Sequence, residues 1–389
     1  MVGMIRRKLE MFTSNRRCTL LGVGPMSLNC VNAAIELANE HDSLIMLIAS
    51  RRQIDSEDFG GGYVNNWSTE RFAKYVIHND KKGRVVLARD HGGPWQNDTE
   101  RKARLSLRQA MDSAKKSFKV DIESGFDVIH IDPSIDIFGQ PDVNEILNRI
   151  FELYEYCWTV SQNKQRKVLF EIGTEEQSGS TQHIDDLAYI LNEVDIFCKK
   201  SRLPKPTFIV SQTGTRVMET KNVGSFDSPV RFPFELPAGI QVPRILDICS
   251  HFGVWLKEHN TDYLSDEALS WHPKLGIHAA NVAPEFGVSE TRALVQLMNQ
   301  NGLKKECESF LDLAFKSGKW EKWMLPQTKA DDTERAIIAG HYVYSDPRFL
   351  EIKRVVQSRL TNVHVDDYLK EAVKEKIYRY MKLFHLTRP

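Results

Sequence analysis

The stretch Val85-Val86-Leu87-Ala88-Arg89-Asp90-His91-Gly92-Gly93-Pro94 gives the clearest indication of this chain's fold. Its aliphatic first half is typical of a buried parallel strand, because strands that are covered on both faces are apolar throughout. Asp90 and His91 follow at the carboxyl end, where α/β proteins gather their ligands. Taken alone, this stretch is explained more simply if Asp90 caps a helix and His91 is a hydrogen-bonded loop residue. The other strand ends must therefore decide between a structural and a functional role.

The rest of the chain alternates short apolar runs with longer amphipathic segments, which predicts a parallel α/β fold. The predicted strands are Cys18–Val23, Leu44–Ala49, Arg84–Ala88, Asp127–Ile131, Lys167–Ile172, Thr207–Val210, Gly253–Lys257 and Leu275–Ala279. Helical spacing covers Leu28–Asn39, Thr99–Phe118, Val143–Val160, Ile184–Lys200, Pro243–Phe252, Ser289–Asn299, Lys304–Lys316 and Val365–Phe384, and Ser68 is a candidate N-cap for a further helix.

Eight strand-helix units predict a TIM (β/α)8 barrel, although periodicity alone leaves a doubly wound open sheet as the alternative. Acids, amides and histidines follow nearly every strand, and only a closed barrel brings the ends of distant strands to one mouth. We therefore predict a barrel over residues 1–302 and a helical C-terminal extension, packed on it, over residues 303–389. Within that extension, the segment Gly340-His341-Tyr342-Val343-Tyr344-Ser345 is aromatic and polar enough to reach a neighbouring site.

Composition excludes several functional classes. Lys+Arg and Asp+Glu both number 52 among 389 residues, so neither nucleic acid nor a membrane surface is an expected partner. Six cysteines without C-x-x-C spacing are typical of reduced thiols in a cytoplasmic protein. No apolar run approaches the roughly 20 residues of a membrane helix, and no export signal is evident.

The polar strand ends suggest a divalent metal site. Two imidazoles and a carboxylate from different strands suit zinc, or manganese or cobalt, with one position left open for substrate. The expected ligands are His91, Glu175 and His259, with His130, Glu171 and Gln212 as substitutes. Each residue is weak evidence alone, and no local H-E-x-x-H spacing supports the set, so the prediction depends on the barrel.

Several motifs resemble, in order, those of the class II tagatose-bisphosphate aldolase accessory-subunit family. They are Ser50-Arg51-Arg52-Gln53-Ile54-Asp55 with Gly61-Gly62-Tyr63, Asp90-His91-Gly92-Gly93-Pro94-Trp95, Ile129-His130-Ile131-Asp132, Ile172-Gly173-Thr174-Glu175, and Glu258-His259-Asn260-Thr261-Asp262-Tyr263. The resemblance runs from about Gly22 to Arg292. It implies a zinc-dependent TIM barrel similar to class II ketose-bisphosphate aldolases.

The resemblance also implies roles. In such aldolases the histidine of the Asp-His pair binds metal and the aspartate moves a proton, so His91 is an expected ligand and Asp90 the expected acid/base. Glu175 is expected to contribute to catalysis as well as to metal binding. Two positions depart from the family pattern, because relatives tend to have Asn at Arg52 and Lys at Asn281, which implies a different sugar.

The expected function is that of a metal-dependent aldolase-like lyase, acting on a sugar or sugar phosphate through a metal-stabilised enediolate. The substrate-binding candidates at the strand ends are Arg52, Gln53, His130, Gln212, Asp262 and Asn281. Epimerisation or isomerisation of the same sugar would pass through the same intermediate. A non-catalytic subunit that stabilises a separate aldolase is the remaining alternative, and the C-terminal helices could form such an interface or a homo-oligomer.

Overall fold

A computed structural model describes residues 3–14, 17–174, 180–181, 183–228 and 235–387. Its barrel strands are β1 Leu20–Val23, β2 Ile45–Ser50, β3 Val85–Gly92, β4 Val128–Ile131, β5 Leu169–Ile172, β6 Phe208–Val210, β9 Trp255–Glu258 and β10 Ala279–Val282. All pair in parallel and close in the order β1-β2-β3-β4-β5-β6-β9-β10. Two short strands, β7 Val217–Met218 and β8 Lys221–Asn222, form a separate antiparallel hairpin. The predicted TIM barrel is confirmed.

Helices surround the barrel and continue beyond it. They are α1 Gly3–Ser14, α2 Leu28–Glu40, α3 Thr69–Asn79, α4 Asp98–Lys102, α5 Leu107–Ser124, α6 Val143–Asn163, α7 Ile184–Ser201, α8 Ala238–Phe252, α9 Asp266–Leu275, α10 Pro284–Gln300, α11 Lys304–Lys316, α12 Asp332–Ala339, α13 Pro347–Arg359 and α14 Val365–Leu383. Single 3-10 turns lie at Glu57–Phe59, Glu321–Trp323 and Gly340–Val343. The additional C-terminal helices that the sequence predicts are thus present.

Side-chain caps explain several helix starts. Ser68 accepts a hydrogen bond from the backbone N–H of Arg71 at the start of α3, as predicted. Asp142 and Glu145 form a capping box at the start of α6, which satisfies backbone N–H groups that the first turn leaves free.

The eighth barrel strand lies later in the chain than the sequence suggested. The predicted strand Leu275–Ala279 is wrong at its start, because α9 continues to Leu275 and ends at Gly276 in the left-handed conformation, with φ 92°. The strand begins only at Ala279.

The single helix predicted over Thr99–Phe118 is in fact two helices, α4 and α5. Arg104 lies between them with a positive φ of 48°. Ser106 then starts α5 through its own capping box with Gln109.

The barrel has two separate apolar cores, one inside it and one between its strands and the surrounding helices. They are separate because successive side chains of a strand point to opposite faces. On β2, Met46 and Ile48 belong to the interior core, whereas Ile45 and Leu47 pack outward against the helices. Leu9 of α1 is fully buried in the interior core. The same alternation decides which residues of each strand point into the mouth.

The last helix packs back onto the beginning of the barrel. The α14 residues Val373, Ile377, Tyr380 and Met381 share a core with α2. The backbone N–H of Thr19 donates to the carbonyl of Phe384 at 3.1 Å. Lys370 and Lys374 of α14 form ion pairs with Glu36 and Glu40 of α2, each at 2.7 Å.

A third apolar core joins the C-terminal helices to α10. It includes Leu297 of α10, Phe310 of α11, Val356 of α13 and Leu369 of α14. The boundary at residue 302 between barrel and extension therefore stays a prediction. No helix among the described residues is long and apolar enough to cross a membrane.

Candidate metal and sugar site

Strand alternation places a polar layer directly above the interior core. Val128 on β4 and Leu169 on β5 belong to that core, and the next inward positions are His130 and Glu171, which are neighbours in the β4-β5 register. By the same spacing of two residues, Ala88 is followed by Asp90 on β3. His259 follows the end of β9 directly.

Asp90, His130, Glu171 and His259 form one buried cluster whose candidate ligand atoms all lie within 4.8 Å of one another. Oδ1 of Asp90 lies 3.6 Å from Nδ1 of His130 and 3.6 Å from Nε2 of His259. Oε1 of Glu171 lies 3.4 Å and 3.6 Å from the same two nitrogens. Two carboxylates and two imidazoles converging in this way could hold a divalent cation.

Among the described residues, three side-chain atoms of the cluster residues lack hydrogen-bond partners. They are Oε1 of Glu171, Nε2 of His259 and Nε2 of His130, all buried, and the first two face the cluster. The second oxygen of Glu171 accepts a hydrogen bond from Nζ of Lys257 at 2.7 Å. Burial alone would raise the pKa of Glu171, but Lys257 and the imidazoles outweigh it and hold the pKa at about 2. An anionic Glu171 therefore keeps one free lone pair aimed at the cluster, which fits a metal ligand.

His130 has a competing interaction. Its Nδ1, the nitrogen that faces the cluster, accepts the backbone N–H of His91 at 3.1 Å. His130 can therefore bind a cation through Nδ1 only if that hydrogen bond is released.

His91 lies beside the cluster and is oriented toward Asp132. The imidazole Nδ1–H donates to Oδ2 of Asp132 at 2.6 Å, and Nε2 lies 3.8 Å from Oδ2 of Asp90. Burial would lower the pKa of His91, but the charge of Asp90 and the bond to Asp132 raise it to about 9. The side chain of His91 is 41% exposed, against 1% for His130 and 4% for His259, so it is the histidine most accessible from the cavity.

Local backbone geometry explains this orientation. The β3-β4 register shifts between Arg89 and Gly92, and His91 has a positive φ of 45°. A bulge of this kind turns a side chain away from the regular alternation of a strand. Gly93 then passes so close to Asp132 that a Cβ on it would lie 2.3 Å from the Asp132 carbonyl oxygen.

One cavity of about 370 Å³ at the carboxyl ends of the strands contains most of the predicted site residues. Those that line it are Arg52, Gln53, Asp90, His91, His130, His259, Asp262 and Asn281. Gln212 is buried but does not line this cavity. Glu175 lies outside the described residues, so its expected metal and catalytic roles stay predictions.

The remaining predicted residues are held by local hydrogen bonds. Asp262 accepts the backbone N–H groups of Ala283 and Glu285 through Oδ1, and burial raises its pKa to about 7. Asn281 donates to Oδ1 of Asp90 at 3.3 Å. Gln53 accepts from the backbone and hydroxyl of Ser50, which fixes its side chain at the cavity wall.

Three cavity residues come from outside the barrel. Lys322 and Trp323 lie on the 3-10 turn of the C-terminal extension, and Tyr342 on the next such turn. Tyr342 lies in the aromatic segment noted above. Trp323, with Trp320 near Pro326, suggests only a packed connector in the sequence, and no sequence signal distinguished Lys322. Lys257 was also missed, although its alternation with Trp255 on the predicted seventh strand could have revealed an inward-facing lysine.

The structure is a closed parallel barrel with a buried carboxylate–imidazole cluster at the carboxyl ends of its strands. The model of the family described as D-tagatose-1,6-bisphosphate aldolase subunit GatZ/KbaZ-like matches residues 8–192. This confirms the resemblance expected from the motifs over that part of the chain. No curated protein matches the sequence.

Solved structures share the fold at low identity. A probable tagatose 6-phosphate kinase from Sinorhizobium meliloti is 15% identical, with a TM-score of 0.74 over 94% of this chain and all of that one. The YdjI aldolase of Escherichia coli is 14% identical, with a TM-score of 0.54 over 100% and 98%. The fructuronate-tagaturonate epimerase UxaE of Cohnella laeviribosi is 11% identical, with a TM-score of 0.61 over 95% and 81%. At these identities the likeness concerns the fold alone.

Proposed function

We propose that this protein is a divalent-metal-dependent aldolase-like lyase that acts on a ketose or ketose phosphate. The observation that carries the proposal is the pair of unpartnered atoms, Oε1 of Glu171 and Nε2 of His259, which converge with the carboxylate of Asp90. Buried polar atoms without partners cost free energy, and a shared cation would remove that cost. Zinc is the expected ion, and manganese or cobalt would accept the same ligands.

The geometry supports a ligand set that differs from the sequence-based one. We propose Asp90, Glu171 and His259 as ligands, with His130 as a fourth once it releases the N–H of His91. The motif-based expectation instead has His91 as a ligand and Asp90 as the acid/base. Metal content of single variants distinguishes the two assignments.

The proposed chemistry divides the work between the metal and the side chains. A divalent ion, when bound, supplies Lewis-acid polarisation of a carbonyl and its neighbouring hydroxyl. His91 would hold or transfer the proton at Nε2, while Asp132 fixes the ring through Nδ1. In the metal-free chain, where Asp90 and Asp132 raise its pKa to about 9, His91 would carry a proton at Nε2 at neutral pH.

Epimerisation is the second candidate function, and Asp262 is the observation that favours it. Asp262 lines the same cavity and has a pKa of about 7, so it can exchange a proton near neutral pH. An epimerase must remove a proton and return one to the other face of the same carbon. A second proton-exchanging group besides His91 would suit that reaction.

Metal analysis of the purified protein tests the site. We expect about one divalent ion per chain in the wild type, and loss of that ion in Glu171→Gln and His259→Ala. His91→Ala should keep the ion if Asp90 is the ligand, and lose it if the motif-based assignment holds. His364→Ala is the matched control, because it removes an exposed imidazole that pairs with Asp367 and does not line the cavity. A wild type that binds no divalent ion even when one is supplied would refute the proposal.

Product analysis tests the reaction. Proton NMR of ketoses and ketose phosphates in D2O with the metal-loaded protein should show two carbonyl fragments if the chain is an aldolase. An epimer of unchanged carbon number, with deuterium at the inverted carbon, would identify the epimerase instead. A metal-free protein that turns over no sugar and co-purifies with a separate aldolase would establish the non-catalytic subunit.

A further inference from the structure

Two cations line the same cavity, one from the barrel and one from the C-terminal extension. Arg52 follows β2, and Lys322 lies on the 3-10 turn Glu321–Trp323. Both line the cavity that contains the Asp90 cluster. The positive charge of Arg52 opposes protonation of both His91 and Lys322.

One nearby carboxylate, Asp98, is shared by two cations. Nε of Arg52 lies 3.5 Å from Oδ1 of Asp98, and the other oxygen of Asp98 lies 3.4 Å from Nζ of Lys319. Lys322 has no ion pair among the described residues. Asp98 is thus shared by Arg52 and Lys319, and it acts on Lys322 only through its charge at longer range.

The side chain of Lys322 is exposed to solvent but lines the cavity. Its Nζ lies 4.5 Å from the centre of the Trp323 ring and 5.5 Å from that of Tyr342. Desolvation by the cavity wall and the charge of Arg52 lower the pKa of Lys322. A bound anion would offset the repulsion between the two cations.

We propose that Arg52 and Lys322 form an anion subsite, which binds a phosphate or carboxylate at the far end of the sugar. This inference rests on the proposed function and adds the substrate class, namely a sugar with a terminal anionic group. Tyr342 accepts a hydrogen bond from Nε1 of Trp323 at 3.2 Å, so its own hydroxyl proton is available to the same anion.

The position of this subsite is unusual for the fold. TIM barrels frequently bind phosphate with the loops after strands seven and eight. Here the basic groups come from the end of the second strand and from beyond the barrel. The C-terminal extension would thus be part of the substrate site, and a barrel without it would lack one half of the anion subsite.

Calorimetric titration of the metal-free protein with sulfate tests the subsite apart from any reaction. Lys322→Met and Arg52→Met should each weaken sulfate binding about tenfold or more, the usual effect of losing a hydrogen bond to a charged group. Lys322→Arg should restore most of the affinity. Lys316→Met is the matched control, because Lys316 pairs with Asp312 and does not line the cavity.

Sugar ligands then identify the anion. A hexose 6-phosphate and a hexuronate are compared with the neutral hexose, and the tighter of the two anionic sugars identifies the natural end group. Sulfate affinity that is equal in wild type, Lys322→Met and Arg52→Met would overturn the inference. If anion binding depends on Lys322 but the protein binds no metal, the subsite inference is supported and the proposed function is refuted.

Discussion

Replacing Lys257 by Met tests how much the buried ion pair between Lys257 and Glu171 contributes to the stability of the barrel. Lys257 and Glu171 are both 0% exposed, and Nζ of the lysine lies 2.7 Å from Oε2 of the acid. Removal of one partner of such a pair leaves an uncompensated buried charge, which costs about 3–5 kcal/mol. Methionine has a similar length and no charge, so the loss of packing is small by comparison.

The expected destabilisation has a characteristic pH dependence. In the wild type the pKa of Glu171, about 2, lies below its ordinary value of 4.5, so its charged form stabilises the fold above pH 4.5. Without Lys257, burial should raise that pKa above 4.5, because desolvation is the largest influence on it. Glu171 of the folded variant would then stay protonated to a higher pH than in the unfolded chain. The loss of stability relative to the wild type should therefore be smaller at about pH 5 than at about pH 8.

Urea unfolding of the metal-free protein measures both effects. The double variant Lys257→Met/Glu171→Leu removes both charges and should recover most of the lost stability, because apolar replacement of a buried ion pair is often neutral. If the cluster binds zinc, zinc should stabilise Lys257→Met more than the wild type, since it supplies the missing positive charge. A loss below about 1 kcal/mol, or a double variant as unstable as the single one, would refute the reasoning.

Three further changes test other parts of the structure. Burial raises the pKa of Glu290 to about 7, so the folded wild type should lose stability as pH rises from about 4.5 to 7. Glu290→Gln removes this effect and should gain stability relative to wild type between about pH 5 and pH 8, by at most a few kcal/mol at ~1.4 kcal/mol per pKa unit; urea unfolding that shows no such gain contradicts it. Gly93→Ala would push a Cβ against the Asp132 carbonyl and should cost about 1–3 kcal/mol by overpacking; an unchanged melting temperature would argue against that contact. Asp142→Ala should cost about 1 kcal/mol through loss of the α6 cap, and a stability equal to that of wild type would show that the cap contributes nothing.

The barrel could be predicted because its signal is local and repeated. Each buried strand is an apolar run followed by polar residues, and seven of the eight predicted strands overlap the observed ones over most of their length. The eighth was displaced because Gly276 ends a helix that the sequence pattern had not indicated before Leu275. A glycine near an apolar run fits a helix end and a strand start equally well.

The site was harder to predict, for two physical reasons. The sequence does not reveal that β3 shifts register between Arg89 and Gly92, and this shift turns His91 toward Asp132. Lys322 reaches the cavity only through the packing of the C-terminal helices, which brings together residues some 270 positions apart in the chain. Such contacts depend on the whole fold and leave no spacing to recognise.

The packing of α14 against α2 has a consequence for the order in which the protein can mature on the ribosome. The apolar face of α2, which includes Val31 and Ile35, shares its core with Ile377 and Met381. A nascent chain that has completed every barrel strand therefore still exposes this face until the residues of α14 have left the exit tunnel. During that interval the uncovered face is a site for aggregation or for a chaperone, and docking of α14 buries it.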